Sequence, residues 1–252
     1  MSETYIEGLP AGGVPFRVGD VLSKAFSVFG SKLVSFLLLA FVPLIPLLAF
    51  NVLTSGGPRL VGQPAQTSGV LDGLSSLIIF VFGLVAQAMT LYAAFQQMAG
   101  RPFDIAQSLG VGFARLVPVL CVALLSTVFT GVAFILLFVP GLIVLCMLYV
   151  AIPVCVIEKP GIFASLDRSA KLTKGSRWQI FGLLALVGTI SAIAQFVLGM
   201  LVNLVSVWGM LLNFGWQLVA TSFGAVLAAV VYHDLRLSKE GMDIDNLANV
   251  FD

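Results

Sequence analysis

The chain has 252 residues, 59% of them hydrophobic and 10% charged, with a formal net charge of +1. Soluble domains carry about 25% charged residues, so this inventory, with a mean hydropathy of +1.07, cannot cover a water-exposed surface. A balance so near neutral also excludes the basic field of a nucleic-acid-binding domain.

In chain order, residues 1–16 (MSETYIEGLPAGGVPF) carry acidic residues and no apolar core behind a basic start. They are expected to stay uncleaved, as a disordered cytoplasmic tail. Residues 18–30 predict an amphipathic helix lying on the membrane surface. Val18, Val21, Leu22, Ala25, Phe26 and Phe29 recur at helical spacing, opposite Asp20, Lys24, Ser27 and Ser31.

A bilayer core needs about 20 apolar residues in a helix. Six segments meet that need: about 33–54, 73–98, 116–138, 140–157, 178–204 and 209–232. None holds Asp, Glu, Lys, Arg or His, any of which would cost a few kcal/mol at mid-depth. Residues 55–70, rich in Gly, Pro, Ser and Gln, read as an external loop. Pro140-Gly141 is expected to turn the chain between the third and fourth spans, and Pro43, Pro46 and Pro153 to kink their own spans. Two further interfacial helices are expected at about 103–113 and 162–174. Residues 234–252 then form a cytoplasmic C-terminal tail.

Twelve Lys and Arg flank these spans on one side, and Arg59 alone lies on the other. The positive-inside rule makes the crowded side cytoplasmic, with both termini there. The expected fold class is an all-α integral membrane protein. Its six transmembrane helices form three helical hairpins, with cytoplasmic amphipathic interfacial helices beside them. Lys32, Arg115 and Arg177 each stand where an amphipathic segment meets a span, followed by Leu33, Leu116 and Trp178. That weak threefold repeat suits three hairpins.

The densest charge lies in "SLDRSAKLTKGSRW", residues 165–178. On a helical wheel Ile162, Phe163, Leu166 and Ala170 share one face, with Asp167, Arg168 and Lys171 opposite. Lys174-Gly175 suits a helix end, and Trp178 suits an interface. Arg168, Lys171, Lys174, Arg177 and Trp178, with Lys24, Lys32 and Arg115, form a candidate surface for anionic lipid headgroups or a partner protein. Each Lys or Arg near an anionic leaflet is worth about 1 kcal/mol. The competing reading is a topological anchor without a ligand.

Inside the spans the polar groups are amides: Asn51, Gln87, Gln96, Gln97, Gln195, Asn203, Asn213 and Gln217. Gln87, Gln195 and Gln217 could line a solute path. Interhelical hydrogen bonds, worth about 0.6–2 kcal/mol each, are favoured instead, because no carboxylate stands at mid-depth. Ala220, Gly224 and Ala228 form a small-residue ridge that predicts close packing within one chain or in a homo-oligomer.

Chemistry is scarce. Cys121, Cys146 and Cys155 sit in apolar runs without metal-ligand spacing and read as small buried hydrophobes. His233, beside Asp234, reads as a helix-end residue. No nucleophile, zinc or phosphate-loop motif is present, so no catalytic residue, metal site or cofactor is expected.

Two stretches carry a resemblance. Residues 139–184 hold Pro140, Gly141, Pro153, Leu166, Arg168, Ser169, Leu172, Thr173, Gly175 and Trp178 in the pattern of a Pro-Gly turn, a late proline and an "aLxrSxxLtkGxxWxxf" helix. Residues 232–244 (YHDLRLSKEGMDI) match a "YyDLRxxkEGxDl" tail at Tyr232, Asp234, Leu235, Arg236, Glu240, Gly241 and Asp243. Together they resemble the bacterial multi-pass family that includes the glycerophosphodiester phosphodiesterase membrane domain and the YciC-like inner-membrane proteins. The resemblance implies a multi-pass module of the bacterial inner membrane, with Tyr232, Asp234, Arg236 and Glu240 as its tail motif. In the fusions the chemistry belongs to a separate soluble barrel, so no catalytic residue carries over. The expected function is non-enzymatic: an accessory, scaffold or envelope-homeostasis factor acting through basic cytoplasmic helices. The alternative is a transporter or channel for a small uncharged or amphiphilic solute.

Overall fold

Leu, Ala, Met and Gln favour helix, and runs of them without Gly-Pro punctuation leave little else for the backbone to do. The computed structural model of the chain describes residues 17–41, 45, 69–100, 105–205 and 207–248, and among these there is no strand. The helices in chain order are α1 (Val18–Ser31), α2 (Leu33–Phe41), α3 (Gly69–Met98), α4 (Ile105–Ala114) and α5 (Leu116–Leu136). They continue as α6 (Phe138–Leu148), α7 (Ala151–Ile157), α8 (Ile162–Thr173), α9 (Arg177–Val205) and α10 (Val207–Ala248). Among the described residues five stretches are long and apolar enough to cross a membrane: Ser76–Met98, Leu116–Leu136, Phe138–Ile157, Arg177–Leu201 and Leu211–Glu240. A sixth arises if α1 and α2, bent by 80° to one another, count as one. The tail 1–16, the first span beyond Phe41 apart from Ile45, the loop with Arg59, and Arg101 lie outside the described residues.

Three breaks repeat one local design. α1 ends and α2 begins at Lys32, α4 and α5 meet at Arg115, and α8 gives way to α9 just before Arg177. Each of these first helices stops at or beside a basic residue, Lys32, Arg115 or Lys174.

Elsewhere the turns differ from expectation. The break between the third and fourth apolar stretches falls at Leu137, which is extended (φ −160°, ψ 143°), not at Pro140-Gly141. Pro140 instead occupies the first turn of α6, where its missing N–H costs nothing. Gly141 serves close packing. A Cβ there would lie 2.4 Å from the Phe134 ring, so α5 and α6 can approach only over a bare backbone. The fourth stretch is itself interrupted at Tyr149-Val150, between α6 and α7. Pro153 explains the break, since it cannot donate to the carbonyl of Tyr149. α10 runs without interruption from the sixth apolar stretch into the expected tail, over 42 residues.

The core lies where α3, α7 and α10 meet α1, α2, α8 and the start of α9. Val21, Phe36, Met89, Val154, Leu183, Leu227 and Tyr232 are fully or almost fully buried there. The apolar face of α1 does not stand free. Val21, Ala25 and Phe29 are buried, and Phe26 and Phe29 meet Phe223 of α10 at 4.8 and 5.7 Å between ring centroids. Cys146 and Cys155 are buried and Cys121 half-buried, all as free thiols.

Candidate functional site

The 158–178 segment and the end of α10 come together at one end of the molecule. α7 finishes at Ile157, and the chain reverses through Glu158 to Gly161 before α8 starts. α8 then packs back along α7 and the end of α6. Its buried face is Ser165, Leu166, Ser169, Leu172 and Thr173, not the Ile162, Phe163, Leu166, Ala170 face that the wheel favours. Phe163 is exposed, and Ile162 and Ala170 are half-buried. The reason is the hydroxyl stripe at i, i+4 and i+8. Ser165 donates to the Gly161 carbonyl at 2.6 Å, Ser169 to the Met147 carbonyl at 2.7 Å, and Thr173 to the Ser169 carbonyl at 3.0 Å. Small hydroxyl residues let two helices approach closely, and the Ser169 hydroxyl meets a carbonyl beside the α6–α7 break, where helical partners run out.

Above this stripe lies an ion-paired junction. The Arg168 Nε donates to Glu158 Oε2 at 3.1 Å, and its Nη2 to Glu240 Oε1 at 2.5 Å. Glu240 Oε2 accepts from Arg236 Nε at 2.7 Å, and the Tyr232 hydroxyl donates to Glu158 Oε1 at 2.8 Å. Two guanidiniums and two carboxylates leave the group neutral. It ties α8 to the motif residues Tyr232, Arg236 and Glu240 of α10. Burial alone would raise the Glu240 carboxyl, but Arg236 and Arg168 outweigh it and hold it below the ordinary value.

The fourth tail-motif residue pins a different helix. Asp234 accepts from Lys24 Nζ of α1 at 2.9 Å, with His233 Nδ1 3.6 Å away. Burial works to raise Asp234; hydrogen bonds and charge from His233 and Lys24 prevail and lower it. Glu158 and the pairing of Lys24 with Asp234 escaped the sequence reading. The available signal was charge order: Glu158 is the first acid after a long apolar run, with Arg168 ten residues on.

The remaining basic residues are placed differently. Lys171 pairs with Asp167 at 2.6 Å on the exposed side of α8. Lys174 and Lys32 are exposed and Arg115 is half-buried, with no ion pair to another described residue. Trp178 is 82% exposed. Arg177 and Trp178 stand at the edge of a groove of about 370 Å³ between α6 and α9.

The three amides of the solute-path reading are not assembled. Gln87 lines a cavity of about 700 Å³ with Tyr149 and Thr221, walled by residues such as Leu184, Val187 and Ala228. Gln195 and Gln217 are exposed and do not line it. Other amides do bridge helices. Gln96 donates to Gln107 of α4 at 2.5 Å, and Gln97 to Ser31 of α1.

Searches against protein-family models, curated proteins and solved structures find no match to the chain.

Proposed function

We propose that the chain is a non-enzymatic, six-span protein of the bacterial inner membrane, both termini cytoplasmic, acting as an accessory or scaffold factor. The family resemblance at 139–184 and 232–244 points the same way. The observation that carries the reading is the ion-paired junction. It spends Arg168, Arg236, Glu158 and Glu240 on holding α8 to α10, which is structural work, and leaves Lys171, Lys174 and Trp178 facing outward beside it. Each acid of the junction is paired with a guanidinium, which favours a binding role over catalysis at this end. Its partners are then anionic lipid headgroups and a membrane protein or a second copy.

The test is mild-detergent purification of the native chain and of a Lys32→Gln, Lys171→Gln, Lys174→Gln variant with Arg177 intact. A stoichiometric partner, or a co-purifying anionic lipid fraction, is expected with the native chain and reduced severalfold with the variant. Identical profiles would overturn the basic surface as a contact site. A second reading, passage of a small uncharged solute, is favoured by one observation, the cavity at Gln87. It requires proteoliposome uptake that Gln87→Leu abolishes; no uptake by the native chain removes it.

A further inference from the structure

We propose that the groove beside Arg177 and Trp178 seats one anionic phospholipid, its phosphate on the Arg177 guanidinium and an acyl chain between α6 and α9. This rests on the membrane reading above and names the ligand of its basic surface. The groove has one polar end and apolar walls. Val139, Leu142, Ile143 and Cys146 contribute from α6, at a spacing that aligns them in one stripe, and Phe181 contributes from α9. Such a stripe extends about 10 Å along the helix, a surface suited to a chain rather than to a compact solute.

The polar end is specific to Arg177. Arg168 and Arg236 each have carboxylate acceptors. Arg177 Nε is shielded from solvent and has no acceptor among the described residues, a costly state for a charged donor. Arg177 also lines the groove, and a phosphate on that side would neutralise its guanidinium, a pairing whose geometry the two groups share. Further cations gather at the same mouth. Lys174 is exposed next to Gly175, and Lys239 Nζ lies 3.9 Å from where a Gly175 Cβ would stand. That field repels the amine of a zwitterionic headgroup and favours a net negative one. Gly175 itself, at φ +92°, turns the chain at the groove without adding a side chain to it. Trp178, edge-to-face with Phe181 at 6.1 Å, forms the lip, an indole placed between apolar chain and polar head.

Trp178 also provides the readout. With Trp208→Phe and Trp216→Phe it is the remaining tryptophan of the three. The full chain in phosphatidylcholine bilayers is titrated with acyl-brominated phosphatidylglycerol or acyl-brominated phosphatidylcholine. Saturable quenching by the phosphatidylglycerol is expected at an about fivefold lower mole fraction, the preference that one cation gives an anionic headgroup. Arg177→Gln should erase the preference and Lys171→Gln should keep it. Should Arg177→Gln misfold by circular dichroism, Leu142→Phe decides, since it narrows the groove with the charge in place and must also lose the preference. Equal quenching by both lipids, or a preference that survives these variants, overturns the site and leaves the membrane reading standing. Inorganic phosphate that abolishes the preference at millimolar concentration overturns the acyl seat. No quenching by either lipid overturns the site together with the membrane reading.

Discussion

α9 and the apolar stretch of α3 have the same hydropathy, 2.1, yet 11% of one and 47% of the other is buried. α5 is more apolar still, at 2.5, and only 17% buried. Residue size separates them. α3 and α10 bury small residues, Ala86, Ala88, Ala93 and Ala94 on one and Ala225, Ala228 and Ala229 on the other. α9 instead points Ile190, Ile193 and Phe196 outward. Where the solvent is as apolar as the side chains, hydropathy gives no reason for helices to associate and close backbone packing decides. The large side chains of α5 and α9 are left to face whatever surrounds the protein.

The largest effect should come from truncating the packed region. Leu227→Ala, at a fully enclosed site of α10, is expected to cost about 2–5 kcal/mol in a reversible detergent-denaturant titration. Ile193→Ala on α9 should stay within about 0.5 kcal/mol. Comparable losses at the two sites would mean that α9 is covered in the folded state, by a second copy or otherwise.

Next in size is the junction. Glu158→Gln leaves Arg168 with one carboxylate and weakens the acceptor of Tyr232, a loss of about 1–2 kcal/mol for a half-exposed, charge-assisted pair. A double-mutant cycle of Glu158→Gln with Arg168→Gln should return a coupling near 1 kcal/mol. Amide exchange in α8 should speed up in each single variant, while α5 stays unchanged. Exchange that rises equally in both helices would show the junction to be no local clasp.

Acid should loosen the same end more weakly. Glu240 and Asp234 have folded-state values below their ordinary 4.5 and 3.8. Their stabilisation is therefore complete above those ordinary values and is lost as pH falls through the lower folded ones. Protease sensitivity of the α1–α10 and α8–α10 contacts should rise only below about pH 4, and Glu240→Gln should flatten part of that rise. A transition between pH 6 and 8 would assign the contacts to groups other than these two carboxylates.

Much of the fold was legible. Four of the six apolar runs became long helices, and the stretch expected at 162–174 is the helix Ile162–Thr173. Composition and period are properties of single segments, so one sequence carries them. What escaped depends on pairs. The buried face of α8 is chosen by the Met147 carbonyl, which no helical wheel contains. The role of Gly141 depends on where the Phe134 ring lies. Arg168 looked solvent-bound because its partners, Glu158 and Glu240, are ten and 72 residues away. The Lys171 pair is the easy kind to read, because its partner Asp167 is four residues back on the same helix.

That easy pair makes the smallest prediction and the sharpest control. Lys171 and Asp167 are both well exposed, at 69% and 63%, so water and salt compete for them throughout. Exposed i,i+4 pairs stabilise by about 0.3–0.5 kcal/mol, and Lys171→Gln should cost no more than that in the same titration. The Arg168 pair is longer, 3.1 Å against 2.6 Å, but its Glu158 partner is only 19% exposed, and a second carboxylate lies behind it. If Lys171→Gln destabilised the chain as much as Arg168→Gln, the ranking of the two cations would fail. Lys171 would then be held by a contact of the folded protein, not left free to meet a headgroup or a partner.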